Sequence, residues 1–257
     1  MNQIDAGAFS LEGKNVIITG ASSGIGKQCA IRCSQYGANL ALVGRDVKRL
    51  EETQMRLCEG KHILHSADIT EYDCIRDIVS KTHYQMGPIG GFIHSAGIAF
   101  NKPIHLMDPY DYNKMNSINV VSGYEFIRQL SKKGIYDSNG SSYVLIASVM
   151  ALAGVSLKTA YCSSKGAIVS DVRAMALELA KKNIRVNSIS PGVIATEMVE
   201  RFEAKTPKDA LDNILKSQAL GLGSPDSIAY GCIYLLSEAS SFITGSNLII
   251  DGGYTAQ

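Results

Sequence analysis

The chain has 257 residues, 46% of them hydrophobic, with 25 basic against 24 acidic side chains and a formal net charge of +1. That length and apolar share suit one domain with a sizeable core, and the near balance of charge, without long runs of either sign, argues against a nucleic-acid partner or an anionic membrane surface. No apolar run approaches the roughly 18 residues a membrane-spanning helix needs. The first residues lack the apolar stretch and basic flank of a secretory signal, and the cysteines, with no Cys/His spacing for a metal, read as free thiols of a reducing cytoplasm.

Segments 15–20, 39–44, 62–68, 91–97, 143–148, 184–190 and 247–253 read as strands, most of them apolar on both faces as in a buried parallel sheet. Segments with apolar residues at three-to-four spacing lie between them. This alternation implies a doubly wound α/β sheet with right-handed crossovers, in one domain over residues 1–257.

The first strand runs into "TGASSGIGKQ" (19–28), where Gly20, Gly24 and Gly26 stand in a strand–turn–helix setting. Glycines there permit a tight turn, close approach of the backbone to a pyrophosphate, and tight helix–strand packing, while the helix start offers free N–H groups to phosphate. The second strand ends "ALVGRD". Gly44 occupies the position where a carboxylate would favour NAD, and the Arg45 fork that follows suits the 2′-phosphate of NADP, with Ser22 and Ser23 adding hydroxyls. The plainer reading has Arg45 on a surface turn and Asp46 as a helix N-cap, and both can hold together.

Further along, 108–131 reads as a long helix, and Ser148 closes the fifth strand at the sheet edge where open α/β folds take ligands. Its hydroxyl suits a carbonyl or a developing alkoxide, or simply caps the strand end. The helix expected over 159–181 carries Tyr161 and Lys165 four positions apart, on one face. A phenol is a poor acid–base near neutrality until a nearby cation lowers its pKa; so tuned, it can give or take the proton of a carbonyl oxygen while a cofactor delivers hydride. Residues 195–222, with Pro207 opening a second short helix, read as a substrate lid or a surface insertion.

Together, "TGASSGIG", "HSAG", "SINV", the strand-end Ser148, "YCSSK", "SPGVIAT" and "DGGY" resemble, in order and spacing, the short-chain dehydrogenase/reductase family in its single-domain branch. The resemblance implies a seven-stranded sheet of order 3-2-1-4-5-6-7 and interconversion of a ketone and a secondary alcohol with NADP(H), NAD being the lesser choice. It implies that Tyr161 is the acid–base, that Lys165 lowers its pKa and holds the nicotinamide ribose, that Ser148 orients a substrate lying beside Met150, and that Asn119 holds a water in a proton relay. It places the cofactor against Gly20, Ser22, Ser23, Gly24, Ile25, Gly26, Arg45, Asp68, Ile69, Ser95, Ala96, Gly97, Tyr161, Lys165, Pro191, Gly192, Ile194 and Thr196, with Asp68 and Ile69 at the adenine and the Ile194 backbone and Thr196 hydroxyl at the carboxamide. "HSAG" departs from the family's Asn-Asn-Ala-Gly, and His94 is expected to pack or hydrogen-bond rather than catalyse.

The length, "LGLGSPDSIA" and "TGSNLIIDGGY" resemble most the 3-oxoacyl-[acyl-carrier-protein] reductases. That likeness implies an acidic acyl carrier protein docked through Lys182, although Asn139 fills the second expected basic position and only Lys132 and Lys133 lie upstream. A reductase of a small ketone, sugar or polyol is the alternative. A non-catalytic nucleotide-binding sensor is a third reading, one that would not need the Asn119–Ser148–Tyr161–Lys165 set. The helices 108–131 and 159–181 carry more apolar surface than one sheet face needs and are expected to pair in a homodimer or homotetramer.

Overall fold

Val16, Ile17 and Ile18 follow one another with no exposed surface. The strand they form is covered on both sides: Val16 and Ile18 enter one apolar layer and Ile17 the other, as the period of two requires. In the computed structural model, which describes residues 6–197 and 217–256, this strand is β1 (Asn15–Thr19). It is followed by β2 (Asn39–Gly44), β3 (His62–Ser66), β4 (Gly91–His94), β5 (Ser141–Ile146), β6 (Ile184–Pro191) and β7 (Asn247–Ile250). All pair in parallel, in the order β3-β2-β1-β4-β5-β6-β7, which is the order the family resemblance implies.

The helices divide between the two faces. α1 (Gly24–Gln35) and α7 (Pro225–Leu236) bury Cys29, Ala30 and Cys33 with Ile228, Cys232 and Leu236, and α2 (Val47–Gln54) adds Leu50. α3 (Asp73–Met86), α5 (Ser122–Leu130) and α6 (Thr159–Leu179) bury Ile75, Phe126 and Ile168 on the other face. Each large apolar side chain so enclosed stabilises the fold by roughly 1.5–3 kcal/mol. Between α1 and α7 the Cys29 thiol meets Cys232 at 3.7 Å. That hydrogen bond, and then burial, push the Cys29 thiol well up, and all six cysteines are free.

Several elements differ from the sequence expectation. The helix expected over 108–131 is α4 (Pro109–Asn116), then a π-helical turn at Ser117–Val121, then α5. The helix expected over 159–181 ends at Leu179 and closes in a tight turn at Ala180–Lys182, which Asn183 leaves in a left-handed conformation. Strands β1, β3, β4, β5 and β7 stop short of the expected ends, and β5 begins earlier, at Ser141. Ser148 lies past β5 and starts a short turn at Val149–Ala151, accepting from Met150 N at 3.2 Å. Past β7, the Asp251 carboxylate accepts from Gly253 N and Thr255 N and turns the chain out of the sheet. Within the expected lid, residues 198–216, Pro207 among them, lie outside the described residues.

The sheet order reverses at β1, so the crevice between the ends of β1 and β4 is its switch point. Gly26 holds α1 against this end: a Cβ there would lie 2.3 Å from the Gly20 carbonyl oxygen. Because that neighbour is backbone, Gly26→Ala is expected to lower the unfolding free energy by about 1–3 kcal/mol, measured by urea denaturation; unchanged stability would contradict the tight contact.

Candidate active site

The turn after β1 is shaped by what its glycines exclude. Gly20 has φ +69°, and a Cβ on it would meet Ala96 N at 2.8 Å and the Ser95 carbonyl carbon at 2.9 Å. The turn is thus pressed against the chain leaving β4. Gly24, at φ +52°, opens α1 beneath the Thr196 methyl. Ser23 is the extended N-cap of α1 and makes no side-chain cap hydrogen bond. The first N–H groups of α1 therefore receive no cap from the Ser23 side chain, and the glycines leave the turn itself free of Cβ atoms at three positions. Both features fit the pyrophosphate of a dinucleotide.

At the tip of β2 a Cβ on Gly44 would lie 3.4 Å from Ser22 Oγ, so this serine hydroxyl stands beside the residue preceding Arg45. Asp46 caps α2, accepting from Arg49 N at 3.2 Å. The Arg45 side chain is exposed and, among the described residues, makes no ion pair or hydrogen bond. It lines an open cleft of about 510 Å³ with Ile98, Phe100 and Ile118. Asp68, past β3, is held by the Thr70 N–H and hydroxyl at 3.0 and 2.7 Å. These bonds, with help from Arg45, keep its carboxyl below the usual range.

Past β4, Thr19 links the two central strands. Its hydroxyl accepts from Ala96 N at 3.2 Å and lies 2.9 Å from His94 Nδ1. The hydroxyl can donate to Nδ1 or accept a second hydrogen bond from it. Nε2 is buried beside the backbone of Ile118 and Asn119 without closing a hydrogen bond of good geometry. Burial first, and then the charge of Lys165, push His94 down to about 3, so it is neutral. The ring fits because α5 carries Gly123 opposite: a Cβ there would fall 2.7 Å from His94 Cδ2. His94 is therefore a packing and hydrogen-bonding residue, as expected.

Asn119, Ser148, Tyr161 and Lys165 come together at the carboxyl ends of β4 and β5. Lys165 is 6% exposed, and its Nζ donates to the carbonyl of Ile146, the last residue of β5, at 2.7 Å. Burial lowers it to about 8. The same ammonium lies 5.7 Å from the centre of the Tyr161 ring. Burial pushes the Tyr161 phenol up, and the Ser148 hydroxyl pulls it back. The Asn119 amide is fully engaged: its oxygen accepts from Ile98 N at 2.8 Å, and its nitrogen donates to the Ile98 carbonyl and to Ser164 Oγ. Its backbone is set in the π-helical turn, where the hydrogen-bond ladder shifts register. Gly97 keeps this space open, because a Cβ there would lie 3.2 Å from Asn119 Oδ1 and 3.7 Å from Lys165 Nζ.

The loop after β6 completes the site. Ile194 bridges Gly223 in parallel, but through its neighbours, Ala195 N to the Gly223 carbonyl and Gly223 N to the Val193 carbonyl. The N–H and carbonyl of Ile194 itself point away from that bridge. Gln218, 4% exposed, clamps the loop from the far end of the expected lid: its amide oxygen takes Val193 N, and its nitrogen donates to the Gly221 carbonyl at 2.8 Å. Glu197, at the near end, pairs with Arg49 of α2.

Thr19, Gln218 and Lys158, whose ammonium lies 5.5 Å from the centre of the Tyr161 ring, did not stand out in the sequence. Lys182 stands apart: its ammonium donates to the Ser131 carbonyl at 2.9 Å, fastening α6 to the end of α5. A smaller cavity of about 90 Å³, lined by Lys14, Asn139 and Arg185 among others, sits at the amino ends of the strands and contains none of the site residues.

Comparison with known proteins agrees with this geometry. The family model described as enoyl-(acyl carrier protein) reductase matches residues 20–255. The chain is 31% identical over 248 residues to an NAD-dependent glycerol dehydrogenase of Listeria innocua, covering 96% of each chain. It is 32% identical over 246 residues to a 3-oxoacyl-[acyl-carrier-protein] reductase of Thermotoga maritima, covering 95% of this chain and 98% of that one. The crystal structure of a short-chain type dehydrogenase/reductase from Mycobacterium marinum superimposes with a TM-score of 0.89 at 32% identity, covering 97% and 98% of the two chains.

The neutral His94 has a consequence for stability. Between about pH 6.5 and 3 the unfolded chain's imidazole takes a proton that the folded one refuses, so stability is present above this window and falls with the pH. Between pH 7 and 5 the wild type is expected to lose about 2 kcal/mol more unfolding free energy than His94→Asn. Parallel urea titrations check this, and equal losses would contradict it.

Proposed function

The chain belongs to the short-chain dehydrogenase/reductase family and is an NAD(P)-dependent oxidoreductase of the alcohol–ketone class, and we propose that it works as an NADP(H)-dependent reductase of a small ketone with Tyr161 as its acid–base. The observation that carries this reading is the convergence of Asn119, Ser148, Tyr161 and Lys165 beside a glycine turn fit for a dinucleotide. A nucleotide sensor has no need of that set.

When bound, the reduced nicotinamide supplies hydride to the carbonyl carbon. Tyr161 O–H donates its proton to the carbonyl oxygen, which the Ser148 hydroxyl steadies by a hydrogen bond. Burial, which raises the phenol, favours the protonated form, and this suits an acid in the reducing direction. The Lys165 ammonium beside it stabilises the phenolate left behind. The Asn119 backbone holds the water through which the proton returns. The turn residues Gly20, Ser23, Gly24, Ile25 and Gly26 take the pyrophosphate. Asp68 and Ile69 take the adenine, Ser95 to Gly97 flank the cofactor, and Pro191, Gly192, Ile194 and Thr196 hold the carboxamide.

Two observations support NADP: the exposed Arg45 guanidinium, without an ion pair or hydrogen bond among the described residues, and the Ser22 hydroxyl beside Gly44, where an acid would repel a phosphate. The 3-oxoacyl thioester reading is favoured by the Thermotoga maritima relative. It needs a carrier-docking cation, and Lys182 is instead tied to Ser131. The exposed Tyr110, Tyr124 and Leu177 of α4, α5 and α6 support a homodimer or homotetramer.

Tyr161→Phe is expected to lower kcat for NADPH-dependent ketone reduction by at least about a hundredfold, followed as NADPH absorbance over a ketone panel; comparable turnover would remove the mechanism. Arg45→Ala is expected to raise the KM for NADPH about tenfold or more while leaving that for NADH nearly unchanged. Equal effects on both would refute the phosphate role.

A further inference from the structure

The amino ends of the strands from β1 to β6 border a cavity of about 90 Å³, at the opposite edge of the sheet from Tyr161 and the glycine turn. Lys14 enters it from the residue before β1 and Arg185 from the second residue of β6, with Gly140, Asn183 and Glu238 among the other walls. The space is larger than a single water needs and admits one tetrahedral oxyanion.

Two of these side chains are cations with little to answer them. Lys14 is half-buried, and its ammonium makes no hydrogen bond or ion pair among the described residues. Its stem lies on the backbone of Gly90, where a Cβ would fall 3.0 Å from Lys14 Cγ and 3.7 Å from Nζ. Burial holds this ammonium below the usual lysine range; Glu238 and Asp137 oppose the shift and Arg185 adds to it. Burial lowers Arg185 as well. Its guanidinium is fixed by neutral acceptors: the Ser240 hydroxyl at 2.9 Å and the carbonyls of Ser237 and Ile243 at 3.0 and 3.3 Å. These hold the charge in place without neutralising it. Glu238 is the one acid lining the cavity among the described residues, and it is exposed and closes no ion pair with either cation. Two cations less one carboxylate leave the lining at a formal +1. Partly desolvated charges in such a place call for an anion.

The walls are tied before any ligand arrives. Asn183 is left-handed at φ +56°, and its side-chain amide donates to the Asn139 carbonyl at 3.0 Å. Ser141 N donates to the Asn183 carbonyl at 3.0 Å, locking the start of β5 to that of β6. Gly140, at φ +145°, puts no side chain into the space.

We propose that this cavity is a binding site for a small oxyanion of the phosphate class, held between the Lys14 ammonium and the Arg185 guanidinium. An ammonium and a guanidinium fork are the side chains that suit such oxygens. Glu238 opposes the ligand and limits its affinity. The site is separate from the reacting groups and does not depend on the ketone-reductase reading.

The test is calorimetric titration of inorganic phosphate into the full chain at constant ionic strength, with chloride as the reference anion. Wild type is expected to take up phosphate saturably, with a Kd on the order of 1 mM or tighter. Lys14→Met, which keeps an apolar stem, is expected to raise that Kd at least about tenfold, and Glu238→Gln to lower it about threefold or more. Arg45→Ala, in the cleft at the other edge of the sheet, is expected to leave it within about twofold. Phenyl phosphate identifies the source: binding as tight as that of phosphate assigns the site to the phosphate end of a larger ligand, weaker binding to the free ion, and both support the class. Absence of saturable uptake in wild type overturns the proposal. So does uptake that Arg45→Ala abolishes and Lys14→Met leaves intact, which belongs to the proposed nucleotide cleft. If Lys14→Met does not fold, the exposed Glu238 position decides, since an unchanged or raised Kd in Glu238→Gln overturns the proposal on its own.

Discussion

A single buried ammonium organises the centre of this protein. Lys165 lies almost wholly out of solvent, and an ammonium in that position is tolerable only if its protons find acceptors. The Ile146 carbonyl supplies one at the end of β5, which seats α6 against the sheet and brings Tyr161 to the strand ends. The same charge governs its neighbours. It helps keep His94 neutral, and it lies where Gly97 leaves room for it beside Asn119. Tyr161 and Ser148 are thus arranged around a cation whose position the main chain sets.

The site divides into parts held by different means. The side proposed to take the nucleotide is made largely of backbone shape, with Gly20 against the β4 chain and Gly26 against Gly20. The side proposed to be catalytic is made of side chains hydrogen-bonded to backbone, such as Asn119 on Ile98 and Lys165 on Ile146. Two loops beside them, at Leu157 and at Val193–Ile194, are held by single clamps from residues distant in sequence, Lys102 in one case and Gln218 in the other. Backbone shape tolerates little substitution, whereas single clamps can change one at a time. One family frame can therefore keep its cofactor and vary its substrate.

Much of this was legible in the sequence. The strand positions and the Tyr161–Lys165 pairing follow from periodicity, and the glycine turn follows from its strand–helix setting. Ser148 and Arg45 stood out at strand ends, whereas the strand order and positions such as Asn119, Asp68, Ile69 and the 191–196 loop came only with the family resemblance. The residues that escaped notice owe their roles to long-range contacts. Thr19 matters because β4 brings His94 and Ala96 to its hydroxyl, and Gln218 because the chain returns to the 191–194 loop. Lys158 shares the Tyr161 face, yet nothing local distinguishes it from a surface lysine at a helix start. The π-helical turn was hidden because the apolar pattern over 108–131 is continuous through it. Asn119 was found by its motif, but its side chain proved to be a brace, which no spacing reveals.

The thiols between α1 and α7 bear on how the molecule opens. Cys29, Cys33 and Cys232 have no exposed surface; the Cys232 contact and burial hold the Cys29 thiol, and burial the Cys33 thiol, well above the usual range. None of them can meet a reagent in solution while the two helices remain on the sheet. Cys58, by contrast, is exposed. The chain therefore carries an internal clock: the rate at which the buried thiols become reactive reports separation of the α1–α7 layer from the strands, and Cys58 marks the moment of mixing.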